Sequence, residues 1–304
     1  MGAKLVLVHL KIFRNLLIID GLKNNKLHSL NWLVAQTTTC YFILSKTGRY
    51  QTRSMMPLSF KQLLNYIIIL SLLGFILAYW NKDNLPQTDV LLPDLYQQPV
   101  QTKTDETPFS LSFGGNEVDI KPLAHYEMRA LVTSLSDSNV LLTDHEDNNI
   151  NVRDVCVIWG HNLTPELLSH LTTSNGLFSC QFDVASPFQY NKFFYITNAV
   201  NIHMITDRPE FRKIINEMRT GDQIYIKGLL VSYQLPQWGS FWRTSSVIDG
   251  TSVCKVIYLE DVKILARGNP GWNLLYQLSK WTFIISLILC LIIFIFGPVE
   301  QQIS

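Results

Sequence analysis

Two long apolar runs, one on each side of a long polar section, limit most strongly what this chain can fold into. Twenty uncharged residues separate Lys61 from Lys82, and 19 separate Lys280 from Glu300. At about 1.5 Å of rise per residue, each run covers roughly the 30 Å of a bilayer's hydrocarbon core. A buried core helix is the alternative, but runs this long with no polar stripe favour membrane spans. The sequence therefore predicts transmembrane helices at 62–81 and 281–299.

The distribution of charge predicts how these helices cross the membrane. The first 61 residues carry nine Lys or Arg and one acidic residue, whereas the section from Lys82 to Lys280 carries 16 basic and 22 acidic residues. Because basic flanks stay in the cytoplasm, both termini are expected there and residues 82–280 outside. The expected partner is thus the lipid bilayer. A net charge of +1 argues against nucleic acid as a partner.

The segment before the first apolar run has two interpretations. Residues 1–54 form a basic extension in which residues 5–19 have the pattern of an amphipathic membrane-surface helix. Met55 and Met56, however, precede a short basic stretch and then the apolar run, which is the pattern of a signal anchor. Translation from Met55 or Met56 is therefore the preferred interpretation, and a functional extension starting at Met1 is the alternative.

Three sections lie between the apolar runs. Residues 82–117 contain four prolines among polar residues, which predicts an extended stalk. Residues 118–266 alternate β-branched and aromatic runs with polar turns, which indicates one β-rich domain. Residues 268–280 place Trp272, Tyr276 and Lys280 four apart, which predicts an interfacial segment at the lipid headgroups.

The β-rich domain is expected to be a small barrel or sandwich, with an oligonucleotide/oligosaccharide-binding (OB) type barrel as the best single prediction. In residues 221–233 the apolar positions change parity at Gly228, which predicts a β-bulge there. Asp207 and Glu210 have the spacing of a capping box for a helix that ends at Arg219. The last two strands are predicted to form a hairpin around 249–250, and a second helix is predicted over 164–171. In all, the other predicted strands are 126–134, 155–159, 178–182, 192–197, 241–248 and 253–265.

The sequence resembles a group of uncharacterised bacterial membrane-anchored proteins in three stretches: DVCVIWGHNL (154–163), GDQIYIKGLLVSY (221–233) and ILARGNPGW (264–272). The similarity covers residues 118–281. It implies a location in the bacterial envelope and no activity. Together with the charge distribution, this predicts an inner-membrane protein with residues 82–280 in the periplasm. The resemblance marks Trp159, Gly160, Asn162 and His203 as positions to test, although Asn-Ile-His at 201–203 departs from a more regular Asn-Asn-His pattern.

Four polar residues are candidates for a catalytic site. His161 follows a strand end, and a hydrogen-bonded structural histidine is the preferred interpretation. The alternative is a polar pocket formed with Asp154 and Asn162, which His203 would join. The chain contains no Gly-x-Ser-x-Gly, Ser-x-x-Lys, P-loop or dinucleotide motif. It therefore lacks the sequence signatures of the common hydrolases and nucleotide-dependent enzymes.

The cysteines of the polar section point to a disulfide rather than to a metal. Cys156, Cys180 and Cys254 lie there, and a periplasmic location would oxidise one pair. Cys156 with Cys180 closes the shortest loop, but the pairing stays open, as does the alternative of three buried thiols. No zinc-type spacing occurs, and the acidic run at 144–147 is interpreted as an exposed turn, so neither a metal nor a cofactor is predicted.

An aromatic loop offers a binding surface. Trp238, Phe241, Trp242 and Arg243 suit stacking on a sugar, a peptide or a protein partner, whereas packing at the barrel mouth is the alternative. The leading hypothesis is therefore a non-enzymatic domain that binds an envelope protein or polymer. An envelope hydrolase or metal-dependent enzyme that uses His161, Asp154 and His203 is the second hypothesis, and a purely structural membrane protein is the third.

Overall fold

The computed structural model describes residues 58–113, 116–136, 151–176, 179–185, 194–236, 239–247 and 254–296. The basic extension 1–54, the acidic run 144–147, the turn 249–250 and Trp238 lie outside these ranges. The chain divides into two compact units. One comprises residues 1–74 and 278–304 and contains most of the two apolar helices, and the other comprises residues 75–277 and contains the β domain.

Two apolar helices bracket the β domain in sequence, as predicted. Helix α1 is Leu58–Asn81 and helix α4 is Pro270–Phe296. Both are long and apolar enough to cross a membrane, with mean hydropathies of 2.1 over Gln62–Asn81 and 1.7 over Pro270–Ile293. The predicted interfacial segment and second span form one continuous helix, α4.

In the first unit, the two helices pack through a narrow apolar seam. Leu64 and Ile68 from α1 contact Phe283 and Cys290 from α4, and all four are buried. Most other apolar side chains on these helices are exposed in the isolated chain, which suits helices whose remaining surface faces lipid.

The second unit is a mainly β domain built on a closed five-stranded barrel, which confirms the β-rich part of the predicted fold class. The barrel order is β3-β4-β7-β10-β8 and back to β3; β7 and β10 are parallel and the other pairs antiparallel. The strands are β1 Val100–Lys103, β2 Phe109–Phe113, β3 Asn116–Leu135, β4 Asn151–Ile158, β5 Leu171–Gly176, β6 Ser179–Val184, β7 Ala199–Ile205, β8 Gln223–Gln234, β9 Arg243–Thr244 and β10 Lys255–Ala266.

Alternating residues of the barrel strands fill its interior. Met128 on β3, Val157 on β4, Met204 on β7, Ile226 on β8 and Leu259 on β10 belong to one buried cluster. Because successive side chains of a strand point to opposite faces, the residues between these positions point outward. The outward positions are therefore the ones on which a polar site can be built.

The predicted bulge at Gly228 is wrong. Ile224 and Ile226 face the barrel interior, whereas Leu229, Val231 and Tyr233 face a second buried cluster on the outer side of the sheet. The apolar positions of β8 thus change parity because the two ends of this long strand are buried on opposite faces. Gly228 has another role, since a Cβ there would lie 2.1 Å from the carbonyl oxygen of Tyr258 on β10. The irregularity in this pairing lies on β10, between Leu259 and Asp261.

The two predicted helices of the domain form, but one of their starts differs. Helix α2 is Pro165–His170, and the Thr164 hydroxyl accepts a hydrogen bond from the Leu167 N–H. Helix α3 is Pro209–Glu217 and has no side-chain cap, so the predicted capping box is wrong. Asp207 instead accepts a hydrogen bond from the Tyr258 hydroxyl at 3.1 Å, which ties the start of α3 to β10.

Two strand predictions are also wrong, for tertiary reasons. Of the predicted strand 192–197, the described residues form an irregular segment and a 3-10 turn at Ile196–Asn198, and the strand β7 begins only at Ala199. Every residue of β7 is buried, and its sequence alternates apolar Val200, Ile202 and Met204 with polar Asn201 and His203. In the described part of the predicted hairpin of 241–248 with 253–265, β9 pairs with β8 instead, and the Ser246 N–H donates to the Cys254 carbonyl oxygen.

The described part of the predicted stalk packs against the barrel rather than extending away. Strands β1 and β2 both pair with β3. Between α1 and β1, Leu91 and Leu95 are buried against Leu131, Ile158 and their neighbours in a third cluster. Residues 88–113 are therefore part of the domain.

A disulfide joins Cys156 on β4 to Cys180 on β6 across a sequence separation of 24. This is the shortest-loop pairing, and it fastens the β5–β6 hairpin to the barrel. The unfolded chain loses freedom when a loop of this length is closed, which stabilises the fold by about 3 kcal/mol.

Replacement of both cysteines, Cys156→Ser with Cys180→Ser, is expected to lower the free energy of unfolding by about 3 kcal/mol. The measurement is urea unfolding of the full chain in mild detergent, followed by tryptophan fluorescence. Reduction of the wild type should reproduce the loss. An unchanged unfolding midpoint in the double variant would contradict a structural role for this bond.

Candidate functional site

Neighbouring barrel strands place polar residues on one outward face. Asp154 on β4 is the register partner of His203 on β7. The residues beside them in sequence, Val155 and Ile202, face the barrel interior, so Asp154 and His203 point the other way. Cys254 immediately precedes β10, the strand parallel to β7.

A short hydrogen bond joins Asp154 to His203. Nδ1 of His203 lies 2.5 Å from Oδ1 of Asp154; His203 is fully buried and Asp154 is nearly so. The side-chain amide of Asn151 donates to the same carboxylate oxygen. Because a carboxylate accepts hydrogen bonds, Nδ1 carries the proton and Nε2 is directed away from Asp154.

Three side chains surround the other nitrogen of His203. Nη2 of Arg243 lies 3.0 Å from Nε2, and Nδ2 of Asn201 lies 3.5 Å from it. Nδ2 of Asn201 is also 3.7 Å from Sγ of Cys254, and the Cys254 thiol lies close enough to His203 for each group to shift the pKa of the other. The imidazole therefore bridges a carboxylate on one side and a thiol on the other.

The electrostatics of the site bring the pKa values of the Cys254 thiol and the His203 imidazole closer together. Burial and the charge of Arg243 would lower the pKa of His203, but its interactions with Asp154 and Cys254 outweigh them and raise that pKa. Burial alone would raise the pKa of the Cys254 thiol, but the interactions with His203, Asn201 and Arg243 outweigh it and lower that pKa. Both shifts ease the transfer of a proton from the thiol to the imidazole.

This arrangement has the components of nucleophilic catalysis. Cys254 is the half-buried thiol, His203 is the buried base in contact with it, and Asp154 is the buried carboxylate that orients the base. A nucleophile must be reached by its substrate, whereas the base and its orienting group need not be exposed. In this site the nucleophile Cys254 is half-buried, whereas the base His203 and the carboxylate Asp154 are buried.

The structure brings together only two of the four predicted catalytic residues. Asp154 and His203 meet, whereas His161 is exposed and its ring packs 5.3 Å from that of Tyr195. Asn162 is buried, donates to the carbonyl oxygens of Tyr195 and Asn198, and accepts from the Tyr195 N–H. His161 and Asn162 therefore belong to a turn that fixes the backbone at the end of β4, and the pocket predicted around His161 is wrong.

The predicted aromatic loop is divided between the site and the surface. Arg243 contacts His203 and lies 3.5 Å from the Tyr233 hydroxyl. Trp242 packs under Lys121, whose Nζ is 3.8 Å from the ring centroid. Phe241 is 61% exposed, and Trp238 lies outside the described residues. Of the predicted binding residues, Arg243 alone is shown at the thiol.

Sequence reasoning missed three members of the site. Cys254 was a disulfide candidate, but the Cys156–Cys180 bond leaves it as a thiol. Asn151 and Asn201 were not singled out for chemistry. The available signal was the Asn201-x-His203 spacing, which puts both side chains on one face once residues 199–205 are known to be a strand.

One group of described residues could hold a metal ion elsewhere on the domain. Glu106, His125 and Glu260 place ligand atoms within 4.8 Å of one another. Lys227 lies 3.9 Å from the Glu260 carboxylate and neutralises part of its charge. The three side chains are exposed or half-buried, so their positions are held less firmly than those of the buried residues at the thiol site. The acidic run at 144–147 lies outside the described residues.

No protein-family model, curated protein or solved structure matches this chain. The resemblance of residues 118–281 to bacterial membrane-anchored proteins therefore stays an expectation. The chemistry assigned to the site rests on its own contacts, burial and charges.

Replacing Asp154 with alanine is expected to lower the free energy of unfolding by about 3 kcal/mol at pH 6, because His203 loses the partner of its buried ion pair. His203 has a raised folded-state pKa, so its stabilisation is complete below about pH 6.5 and is lost as pH rises through the folded value. The difference between wild type and variant should therefore narrow from pH 6 to pH 9.

Urea unfolding at a series of pH values measures this difference. Asp183→Ala, at an exposed position on β6, is the matched control and should change stability by less than about 0.5 kcal/mol. A loss in Asp154→Ala no larger than in Asp183→Ala would show that the buried pair does not stabilise the domain.

Proposed function

We propose that this chain is a membrane-anchored enzyme that uses Cys254 as the nucleophile in acyl transfer or hydrolysis. The observation that carries the proposal is the order of contacts, from the half-buried Cys254 thiol through buried His203 to buried Asp154. A structural histidine needs hydrogen-bond partners, but it does not need a thiol of lowered pKa on its second nitrogen.

Each group has a defined part in the proposed reaction. The Cys254 thiolate attacks an acyl carbon, and a C–S bond forms. The leaving group departs with a proton from Nε2 of His203, which leaves a thioester. A water molecule then attacks the thioester and gives its proton to Nε2, and Cys254 leaves as thiolate. Asp154 orients the ring and balances its charge, and Arg243 stabilises negative charge on the acyl oxygen.

The topology of the barrel supports a ligand site at this position. The order β3-β4-β7-β10-β8, with the third and fifth barrel strands parallel and α3 between the third and fourth, corresponds to the OB type. Ligands of OB barrels bind on the second and third strands and the adjacent loops. Here these strands carry Asp154 and His203, while Arg243 and Cys254 lie between the fourth and fifth strands.

The membrane anchor defines where this enzyme would act. We infer that α1 and α4 span a bacterial inner membrane with both termini in the cytoplasm and residues 82–280 in the periplasm. Support comes from the two apolar helices, from the excess of basic residues before α1, and from the Cys156–Cys180 disulfide, which persists in an oxidising compartment.

Reaction with p-nitrophenyl acetate, an activated ester, tests the catalytic role. The full chain in mild detergent is expected to release p-nitrophenol and to carry an acetyl group on Cys254, detected by peptide mass spectrometry. Cys254→Ala should reduce release to the background rate, and His203→Gln should slow it about a hundred-fold because the base is lost. Cys290→Ala, a thiol within α4, is the control and should react like wild type.

Equal p-nitrophenol release by wild type and Cys254→Ala, with no acetyl group on Cys254, would refute the catalytic role.

Labelling of spheroplasts tests the location. A membrane-impermeant maleimide is expected to modify Cys254 in intact spheroplasts, because the thiol is half-buried and faces the periplasm. Modification of Cys254 is read from its tryptic peptide, so other thiols do not interfere. Labelling that requires permeabilised membranes would place the domain on the cytoplasmic side.

A second function, non-enzymatic binding of an envelope protein or polymer, is favoured by one observation. Phe241 is 61% exposed and adjoins Trp242 and Arg243 near the site. Large exposed aromatic side chains mark interaction surfaces more often than catalytic ones. If this is the main function, Phe241→Ala removes cross-linked partners in membranes and Cys254→Ala leaves them in place.

A further inference from the structure

Three side chains that ligate metal ions in proteins converge on the outer face of the barrel. Glu106 follows β1, His125 lies on β3 and Glu260 lies on β10, and one ligand atom from each falls within 4.8 Å of the others. The three segments are far apart in sequence, so the fold itself brings these side chains together. Glu106 is exposed and the other two are half-buried, so an ion from solution can reach all three.

An irregularity in β10 turns Glu260 toward this group. Leu259 pairs with Gly228 and Asp261 pairs with Lys227, so Glu260 is an extra residue with no register partner on β8. Because Leu259 is held in the barrel interior, the residue that follows it points outward. Bulges of this kind re-aim a side chain, and they are frequent beside functional sites.

His125 reaches the same outer face from the other side of β8. Its neighbours in sequence, Ala124 and Tyr126, face the barrel interior, so the imidazole points outward. In register His125 stands between Thr102 on β1 and Leu229 on β8. Within the part of the chain that the structure describes, no group forms a hydrogen bond or ion pair with this half-buried imidazole. Its ring nitrogens are therefore available to a ligand.

The charges around this group favour a bound cation. Lys227 lies 3.9 Å from the Glu260 carboxylate, and no basic side chain among the described residues pairs with Glu106. The turn that carries Glu106 is held in place, because the Glu106 N–H donates to the Thr104 hydroxyl at 3.2 Å. A divalent ion would join two carboxylates that otherwise repel each other.

The combination of ligand atoms selects the kind of metal. Mg²⁺ and Ca²⁺ are bound mainly by oxygen ligands, whereas an imidazole suits Zn²⁺. Three protein ligands and a water molecule are a common Zn²⁺ set, with metal–ligand distances of about 2.0–2.2 Å. Such ligand atoms lie about 3.5 Å apart around a tetrahedral ion. Rotation of exposed or half-buried side chains can close the present spacing to that value.

We propose that Glu106, His125 and Glu260 form a Zn²⁺ site that clamps the turn between β1 and β2 onto the barrel. A water molecule completes the coordination. Sequence reasoning predicted no metal, because the three ligands lie in separate segments without a zinc-type spacing. The site is independent of the proposed catalytic role, since Glu260 stands six residues beyond Cys254, about 20 Å along an extended strand.

Zinc titration of the full chain in mild detergent, in competition with a chromophoric chelator, tests the proposal. Every protein in the comparison carries Cys254→Ala, because a thiol next to a histidine would itself bind Zn²⁺. In this parent, His125→Gln and Glu260→Gln should each weaken Zn²⁺ binding more than about ten-fold, since even an outer partner of a metal ligand contributes that much. His161→Gln and Glu117→Gln, exposed residues of the same two types, are the matched controls and should keep the parent's affinity.

Trypsin cleavage measures whether the ion holds the turn. Lys103 is exposed at the end of β1, directly before the turn that carries Glu106. At ten times its Kd, Zn²⁺ should slow cleavage after Lys103 about ten-fold in the parent, because the bound form must release the ion before this segment opens. The rate is read by peptide mass spectrometry, and Glu106→Gln should abolish the effect of Zn²⁺.

Equal Zn²⁺ affinity in the parent, His125→Gln and Glu260→Gln would overturn the proposal, as would protection of Lys103 that persists in Glu106→Gln. Tighter binding of Mg²⁺ than of Zn²⁺ would contradict the metal assigned. Should a substitution at His125 or Glu260 prevent folding, Glu106→Gln, at an exposed position, gives the same affinity comparison.

Discussion

The buried contact between Asp154 and His203 is the interaction on which the rest of the site depends. Two ionisable groups are held on adjacent strands with almost no access to water, so each needs the other. Once Asp154 fixes Nδ1, Nε2 can point only toward Cys254, Arg243 and Asn201. A single pairing register between β4 and β7 thus positions the imidazole beside three further side chains.

The barrel supplies that register because its interior is completely apolar at these positions. Val155 and Ile202 are fixed in the core, and a shift of one residue would bury Asp154 and His203 inside the barrel. The disulfide from Cys156, two residues beyond Asp154, holds the β5–β6 hairpin against the same strand. Hydrophobic packing on one face of β4 and β7 therefore positions polar groups on the other.

The sequence predicted the parts of this molecule that depend on local patterns. The two apolar helices, the β-rich domain and helix α2 follow from run length, alternation and capping. It did not predict β7, although Asn201 and His203 alternate there with apolar residues, nor the packing of Leu91 and Leu95 from the proline-rich segment. Asp154 and His203 were candidates, but Cys254 joined them only through the parallel pairing of β7 with β10, a contact between distant segments.

The proposed function is that of a membrane-anchored barrel whose thiol is activated by buried groups. The base and its carboxylate are shielded from solvent, so their charges would act on Cys254 with little screening. Arg243 adds positive charge beside the same imidazole. Under this proposal the exposed surface, which includes Phe241, provides access to the thiol.

Titration of the Cys254 thiolate by its absorbance at 240 nm tests most directly whether the buried pair activates the thiol. The spectrum of wild type minus that of Cys254→Ala, recorded from pH 4 to pH 10 on the full chain, isolates this group. The account predicts a thiolate that persists well below the ordinary cysteine pKa of about 8.5, and a return toward that value in His203→Gln. A wild-type thiol that titrates near 8.5, with the same midpoint in His203→Gln, would contradict it.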